Sequence, residues 1–285
     1  MPSLKHSPVP CAAATGYVGQ SQPKKMMLKN WLILGLFLLS GQAWAIKLSQ
    51  TTLKLGDVVM PVHIAVPDGK GPFAPVLFIH AKRGIDDNET RHIAELASQG
   101  FLVAMPDWQA GRMIERWPSA HEPETEADVE AALDFLIKHP LACRIPVGIV
   151  AQSRGPYYAI RLAAKRGKDI AAIASYYGHM QNPNAPEPDQ LFRVAPEVMQ
   201  ITTPMLLMIG DQDFELRRMS TGRAFYALWE RGVPVELQSY PLARRAFDFR
   251  IDQSPEEKIA TRHARQRAKA WLQQWMKLDA NSACR

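Results

Sequence analysis

Apolar residues along the chain fall into short continuous runs, with helix-period stretches between them. Runs at 58–66, 76–80, 102–106, 147–151, 170–177, 205–209 and 235–240 have strand length and are rich in Val and Ile. Most are continuous rather than alternating, so both faces of those strands are expected to be covered. Segments 89–98, 127–138, 157–166, 222–231 and 256–276 carry apolar residues three and four apart, the spacing of a helix with one buried stripe. Strands alternating with helices predict an α/β chain, with a mostly parallel central sheet and helices on both faces. No internal repeat or low-complexity tract interrupts the pattern. One linker-like stretch, 182–188, holds Pro183, Pro186 and Pro188 and sits where such folds insert a loop. Residues 46–285 therefore read as one domain.

The start of the chain follows a different pattern. Lys24, Lys25 and Lys29 precede an apolar run at 31–39, and Ala43-Trp44-Ala45 follows it. A charged region, an apolar stretch short of the about 20 residues a span needs, and an A-x-A site make an export signal. Residues 1–45 are expected to be a leader and signal peptide, with translation starting at Met26 or Met27. The mature chain would begin at Ile46, be periplasmic or secreted, and keep no membrane span.

Removing the leader changes the charge balance. The whole chain has 34 basic and 28 acidic residues, a net of +6, but the leader holds four of the lysines and no acid. What remains is 30 against 28, which is no nucleic-acid footprint. A chain of this length that is 47% hydrophobic needs no metal or disulfide to sustain its core. Cys143 and Cys284 remain after export in a compartment that permits pairing. Cys284 lies next to the last residue of a tail expected to fray, so free thiols are expected. No Cys/His cluster has metal spacing and no Gly-rich loop cradles a phosphate, so neither metal nor cofactor is expected.

Two segments carry chemistry. Ala151-Gln152-Ser153-Arg154-Gly155 follows an apolar strand and opens a helix. This A-x-S-x-G spacing suits a nucleophile elbow, whose strained turn lifts a serine hydroxyl above the sheet and needs small flanking residues. The same residues also suit an ordinary turn with a capping serine. Gly210-Asp211-Gln212-Asp213 ends a second strand and places a carboxylate where parallel sheets gather their sites. Asp213 can orient a catalytic base there, or cap the helix that follows.

The order of these segments resembles the dienelactone hydrolase family. The likeness runs from Ala74-Pro75-Val76 into His80, through Gly100-Phe101 and Met105-Pro106-Asp107, then through 128–139. It continues over Tyr176-Tyr177-Gly178 to Gly210 and Asp213, and covers about 53–278. The resemblance implies an α/β-hydrolase fold and a nucleophile–Asp–His triad acting on esters or lactones. Founding members use Cys as nucleophile, where this chain has Ser153. The last member departs from the family. After Tyr240-Pro241 the position of the family's histidine falls on Arg245. Arginine stays protonated and has no lone pair, so it cannot take a serine proton.

His80 and His179 also end strands on the same edge, and each is either a substitute base or a structural residue. His121, His139 and His263 read as surface or loop positions. The loop after the 76–80 strand would supply the N–H of Ala81 or Lys82, completing an oxyanion hole with that of Arg154. Lys82, Arg83 and Arg244 suit contacts to an anionic substrate, or solvated charges paired with Asp211, Asp213, Glu215 and Asp248. Two functions follow. One is a serine hydrolase for a small ester, lactone or thioester, impaired by the missing histidine. The other is an inactive relative that binds an anionic small molecule.

Overall fold

A computed structural model describes residues 46–186 and 193–284. The expected leader lies outside the described residues, as do 187 and 188 of the proline-containing stretch. Eight strands form one sheet in the order β1-β2-β4-β3-β5-β6-β7-β8. They are β1 (Ile46–Leu55), β2 (Val58–Pro67), β3 (Ala74–Ile79), β4 (Phe101–Pro106), β5 (Val147–Gln152), β6 (Ile170–Tyr176), β7 (Met205–Gln212) and β8 (Val235–Arg244). β1 pairs antiparallel with β2, and β2 with β4; every pairing from β4 across to β8 is parallel.

The helices are α1 (Asp87–Ser98), α2 (Glu124–Lys138), α3 (Gly155–Arg166), α4 (Glu215–Glu230) and α5 (Pro255–Trp275). Alternate residues of each central strand face opposite cores. Leu77 and Ile79 of β3 join Ile149, Leu133 of α2, Ile160 of α3 and Leu228 of α4. Val76 and Phe78 join Val150, Ile93 of α1 and Trp271 of α5 on the other side. A sheet buried on both faces explains why the strand sequences are continuously apolar.

The pattern missed β1 and the start of α4, each for a physical reason. β1 is an edge strand whose residues are exposed or half-buried, so it carries little apolar signal. α4 begins seven residues before the expected 222 because its buried positions include Ser220 and Thr221 rather than an apolar stripe. The two cysteines overturn the free-thiol expectation. Cys143 and Cys284 form a disulfide with Cα atoms 6.5 Å apart. The tail does not fray: Gln273 Nε2 donates to the Ala280 carbonyl at 3.0 Å and to Ser282 Oγ at 3.1 Å, and Ser282 is buried. Those contacts fold the tail back and bring Cys284 to Cys143.

Candidate active site

The turn from β5 to α3 is strained where the sequence places Ser153. Its φ is +53°, a left-handed conformation that costs a non-glycine residue energy. Gly155 makes the turn possible. A Cβ there would sit 2.2 Å from the Ile79 carbonyl oxygen and 3.3 Å from the Ala151 methyl, so the helix starts hard against β3. Gln152 is buried behind the turn and donates to Asp248 at 2.9 Å. Tyr177 donates to the same carboxylate at 2.6 Å. Burial pushes that carboxyl above the usual range against the pull of Arg265.

A second close approach aligns the other half of the site. A Cβ on Gly210 would lie 2.0 Å from the Ala243 carbonyl oxygen. β7 therefore crosses β8 without a side chain between them, and the register shifts so that Gln212 pairs with Arg244. The chain beyond each strand then meets at one point. Arg245 Nη2 donates to Ser153 Oγ at 2.7 Å, and its Nη1 donates to the Asp213 oxygens at 3.1 and 3.2 Å. Asp213 also accepts from the Phe214 N–H at 2.7 Å, but it does not cap the helix, whose first residue is preceded by Phe214 with no side-chain cap. Burial raises the Asp213 carboxyl, with Arg245 pulling the other way.

The candidate oxyanion donors are unoccupied. The N–H groups of Ala81, Lys82 and Arg154 donate to no backbone acceptor among the described residues. A cleft of about 430 Å³ is lined by Ala81, Lys82, Ser153, His179, Arg217 and Arg245, among others.

The two substitute histidines part company. His179 lines the cleft with Ser153. Burial holds its ring neutral well below the usual range, and Arg217, Arg245, Arg154 and Lys82 add to the effect. Its imidazole makes no hydrogen bond among the described residues. His80 does not line the cleft. It is fully buried, stacks on Trp108 at 5.0 Å, and commits Nδ1 to the Ala81 carbonyl at 2.8 Å. Burial lowers its pKa to about 4. It shapes the loop after β3 and does not reach Ser153.

The expected anion contacts need correcting. Arg244 points away from the cleft, with its guanidinium on Glu257 and Asp252 at 2.8 and 2.9 Å. β8 ends at Arg244, and the turn that follows carries Arg245 to the site while Arg244 stays on Glu257. Arg83 lines the cleft, but its charge is spent on Asp86 and on both oxygens of Glu89 at 2.7 and 2.8 Å, beside the Phe249 ring. Lys82 stays at the cleft. Arg217 was missed: it lies in the first turn of α4, four residues after Asp213, and the sequence pattern started that helix later. His121 is no surface residue. It is buried, bonds Glu126 at 2.9 Å and packs edge-on against Tyr157. Among the described residues no group of three His, Cys, Asp or Glu side chains can hold a metal ion, and no helix is long and apolar enough to cross a membrane.

A model described as the dienelactone hydrolase family matches residues 60–276. A Klebsiella pneumoniae protein assigned as a dienelactone hydrolase superposes with a TM-score of 0.67 at 20% identity, covering 81% of this chain and 100% of that one. A dienelactone hydrolase from Anabaena variabilis gives 0.62 at 20% identity, over 81% of this chain and 99% of that one. A bacterial heroin esterase gives 0.61 at 18% identity, over 83% and 87%. No curated protein sequence matches the chain. At such identities the superpositions speak for the fold alone, and the fold is that of the α/β-hydrolases.

Proposed function

The chain belongs to the dienelactone hydrolase family, and we propose that it acts as a serine hydrolase on a small ester, lactone or thioester, with turnover held low by Arg245. The observation that carries this reading is the guanidinium lodged between Ser153 Oγ and Asp213. Ser153 attacks the acyl carbon, and the N–H of Arg154, with that of Ala81 or Lys82, receives the developing oxyanion. Arg245 fills the base's place without a lone pair. Its charge favours the serine alkoxide, as any adjacent cation favours an anion. The proton, however, must leave to solvent. A positioned base typically contributes about 10²–10⁴-fold, and that factor is forfeited. His179 has the neutral ring a base requires but makes no hydrogen bond to Ser153.

The test is labelling with a fluorophosphonate together with p-nitrophenyl acetate hydrolysis. Slow labelling and slow turnover that both vanish in Ser153→Ala support the reading. Hydrolysis unchanged in Ser153→Ala removes it.

We also propose that the chain is exported and cleaved before Ile46. The Cys143–Cys284 disulfide suits an oxidising compartment. Amino-terminal sequencing of the protein recovered from a Gram-negative periplasm should start at Ile46; a secreted form that retains residues 31–39 rules cleavage out.

A further inference from the structure

Arg154, the residue after Ser153, is 3% exposed. Its guanidinium makes no hydrogen bond or ion pair among the described residues, and its Nε is sealed from solvent without a partner. Withdrawing a guanidinium from water without a counter-charge is strongly unfavourable. A ligand that brings negative charge to this guanidinium would offset that cost.

The side chain faces a cavity of about 180 Å³ whose wall includes Lys82, Ser119, His179, Gln181 and Arg217, and no acid among the described residues. Arg217 donates to Gln181 at 2.6 Å, and the Nζ of Lys82 reaches only the Pro118 carbonyl, at 3.5 Å. Neither has a carboxylate in that wall. Asp213 lies outside that wall and is bonded to Arg245, and it offsets part of the charge on Arg217. The cations press on one another: burial and then Arg245 bring Arg217 down to about 10, and burial and then Arg154 lower Lys82. The amino end of α3, which follows Arg154, adds its partial positive charge.

We propose that Lys82, Arg154, His179 and Arg217 form a subsite for a dianionic oxyanion, the phosphoryl group of phosphate or of a phosphate monoester, beside Ser153. Three cations around one void leave two charges unmatched by a carboxylate and only one by a phosphoryl dianion. A tetrahedral group also presents oxygens in several directions, which suits two guanidinium forks and an ammonium converging from different elements. The neutral His179 ring adds one N–H donor. Lys82, His179 and Arg217 line the Ser153 cleft as well, so the organic part of a monoester has a path toward Ser153. The subsite stands whether or not Ser153 turns over substrate.

The experiment measures binding to the full chain in chloride buffer by calorimetry and thermal unfolding, in wild type and Ser153→Ala. Millimolar inorganic phosphate should bind both and raise their melting points by mass action, whereas acetate should not. Glycerol phosphate binding more tightly than phosphate assigns an organic monoester; equal or weaker binding assigns the free ion. Arg154→Met should lower phosphate affinity on the order of 10–100-fold, the loss of a charge-assisted hydrogen bond. It should also raise the urea midpoint without phosphate, because an unpaired buried cation is gone. Arg217→Gln, which keeps an amide at the site, should weaken phosphate binding without the packing change. No response to phosphate, acetate binding as well as phosphate, or wild-type affinity in both arginine variants would overturn the subsite. Phosphate binding by Ser153→Ala alongside no esterase activity in wild type would leave the subsite standing and remove only the hydrolase reading.

Discussion

Arg245 holds Ser153 and Asp213 at once, donating to the serine Oγ at 2.7 Å and to the carboxylate at 3.1 and 3.2 Å. The link has the shape of a catalytic relay and the wrong chemistry, since every group on the guanidinium is a donor. On the proposed reading, position 245 is where proton transfer is lost while the surrounding scaffold stays assembled.

Arg245→His should raise the hydrolysis of an activated ester by about 10²–10⁴-fold, the usual contribution of a positioned base. The gain should disappear in the double variant with Ser153→Ala, because nucleophile and base act as a unit. Steady-state kinetics on p-nitrophenyl acetate read both. An unchanged or lower rate in Arg245→His means that another group removes the proton.

The pH profile separates the same alternatives. Without an imidazole base the wild-type rate should climb with hydroxide across about pH 6–8 and show no plateau. Arg245→His should level off above the imidazole pKa, near about 6.5 for an unperturbed ring. A wild-type plateau beginning well below pH 6.5 would assign the proton to His179, whose ring burial and four neighbouring cations keep neutral.

Much of this was legible in the chain. Continuous apolar runs located seven of the eight strands, because a sheet covered on both faces leaves no polar side to break the run. A-x-S-x-G and G-x-x-D marked strand ends because a Cβ at Gly155 or Gly210 would come within 2.2 or 2.0 Å of a neighbouring carbonyl oxygen. What stayed hidden was set by direction rather than composition. Arg244 and Arg245 are equal as letters, and only the end of β8 between them sends one to Glu257 and the other to Ser153. Arg217 was hidden because α4 buries Ser220 and Thr221 where an apolar stripe would have marked the helix. Arg154 entered the sequence argument only through its N–H, and the burial of its side chain without a partner shows only in the fold.

Gly155→Ala tests the elbow. The added Cβ meets the Ile79 backbone, which cannot rotate away as a side chain can. Overpacking of this kind costs typically about 1–3 kcal/mol. The urea midpoint should fall and fluorophosphonate labelling of Ser153 should be lost. Wild-type labelling in this variant would mean that the turn is not tightly packed.

The disulfide joins residues 141 apart in sequence, so it restricts the unfolded chain over a long loop. Cys284→Ser, or reduction, should lower stability by about 2–4 kcal/mol. Urea unfolding with and without reductant measures it. Equal midpoints would show that the Gln273 contacts alone hold the tail.

Acid should destabilise the fold through its buried histidines. His80, His92 and His179 all sit below the ordinary imidazole range, in each case chiefly through burial. Below about pH 6.5 the unfolded chain takes up protons on these rings and the native chain does not. The free energy of unfolding therefore falls as pH drops through 6.5, and for His80 it keeps falling to about pH 4. That span corresponds to on the order of 3 kcal/mol for His80 alone. Asp213 and Asp248 work in the opposite direction, because their raised native pKa values make the folded state the better proton acceptor at acid pH. The histidine contribution is thus read from a difference between proteins. His80→Gln keeps an amide that can donate to the Ala81 carbonyl but has nothing to protonate in this range. It should lower stability at neutral pH through the lost stacking on Trp108, and lose less than wild type between pH 6.5 and 4. Urea unfolding across that interval gives the two slopes. Parallel slopes would mean that His80 is protonated in the folded state and that its burial does not exclude the charge.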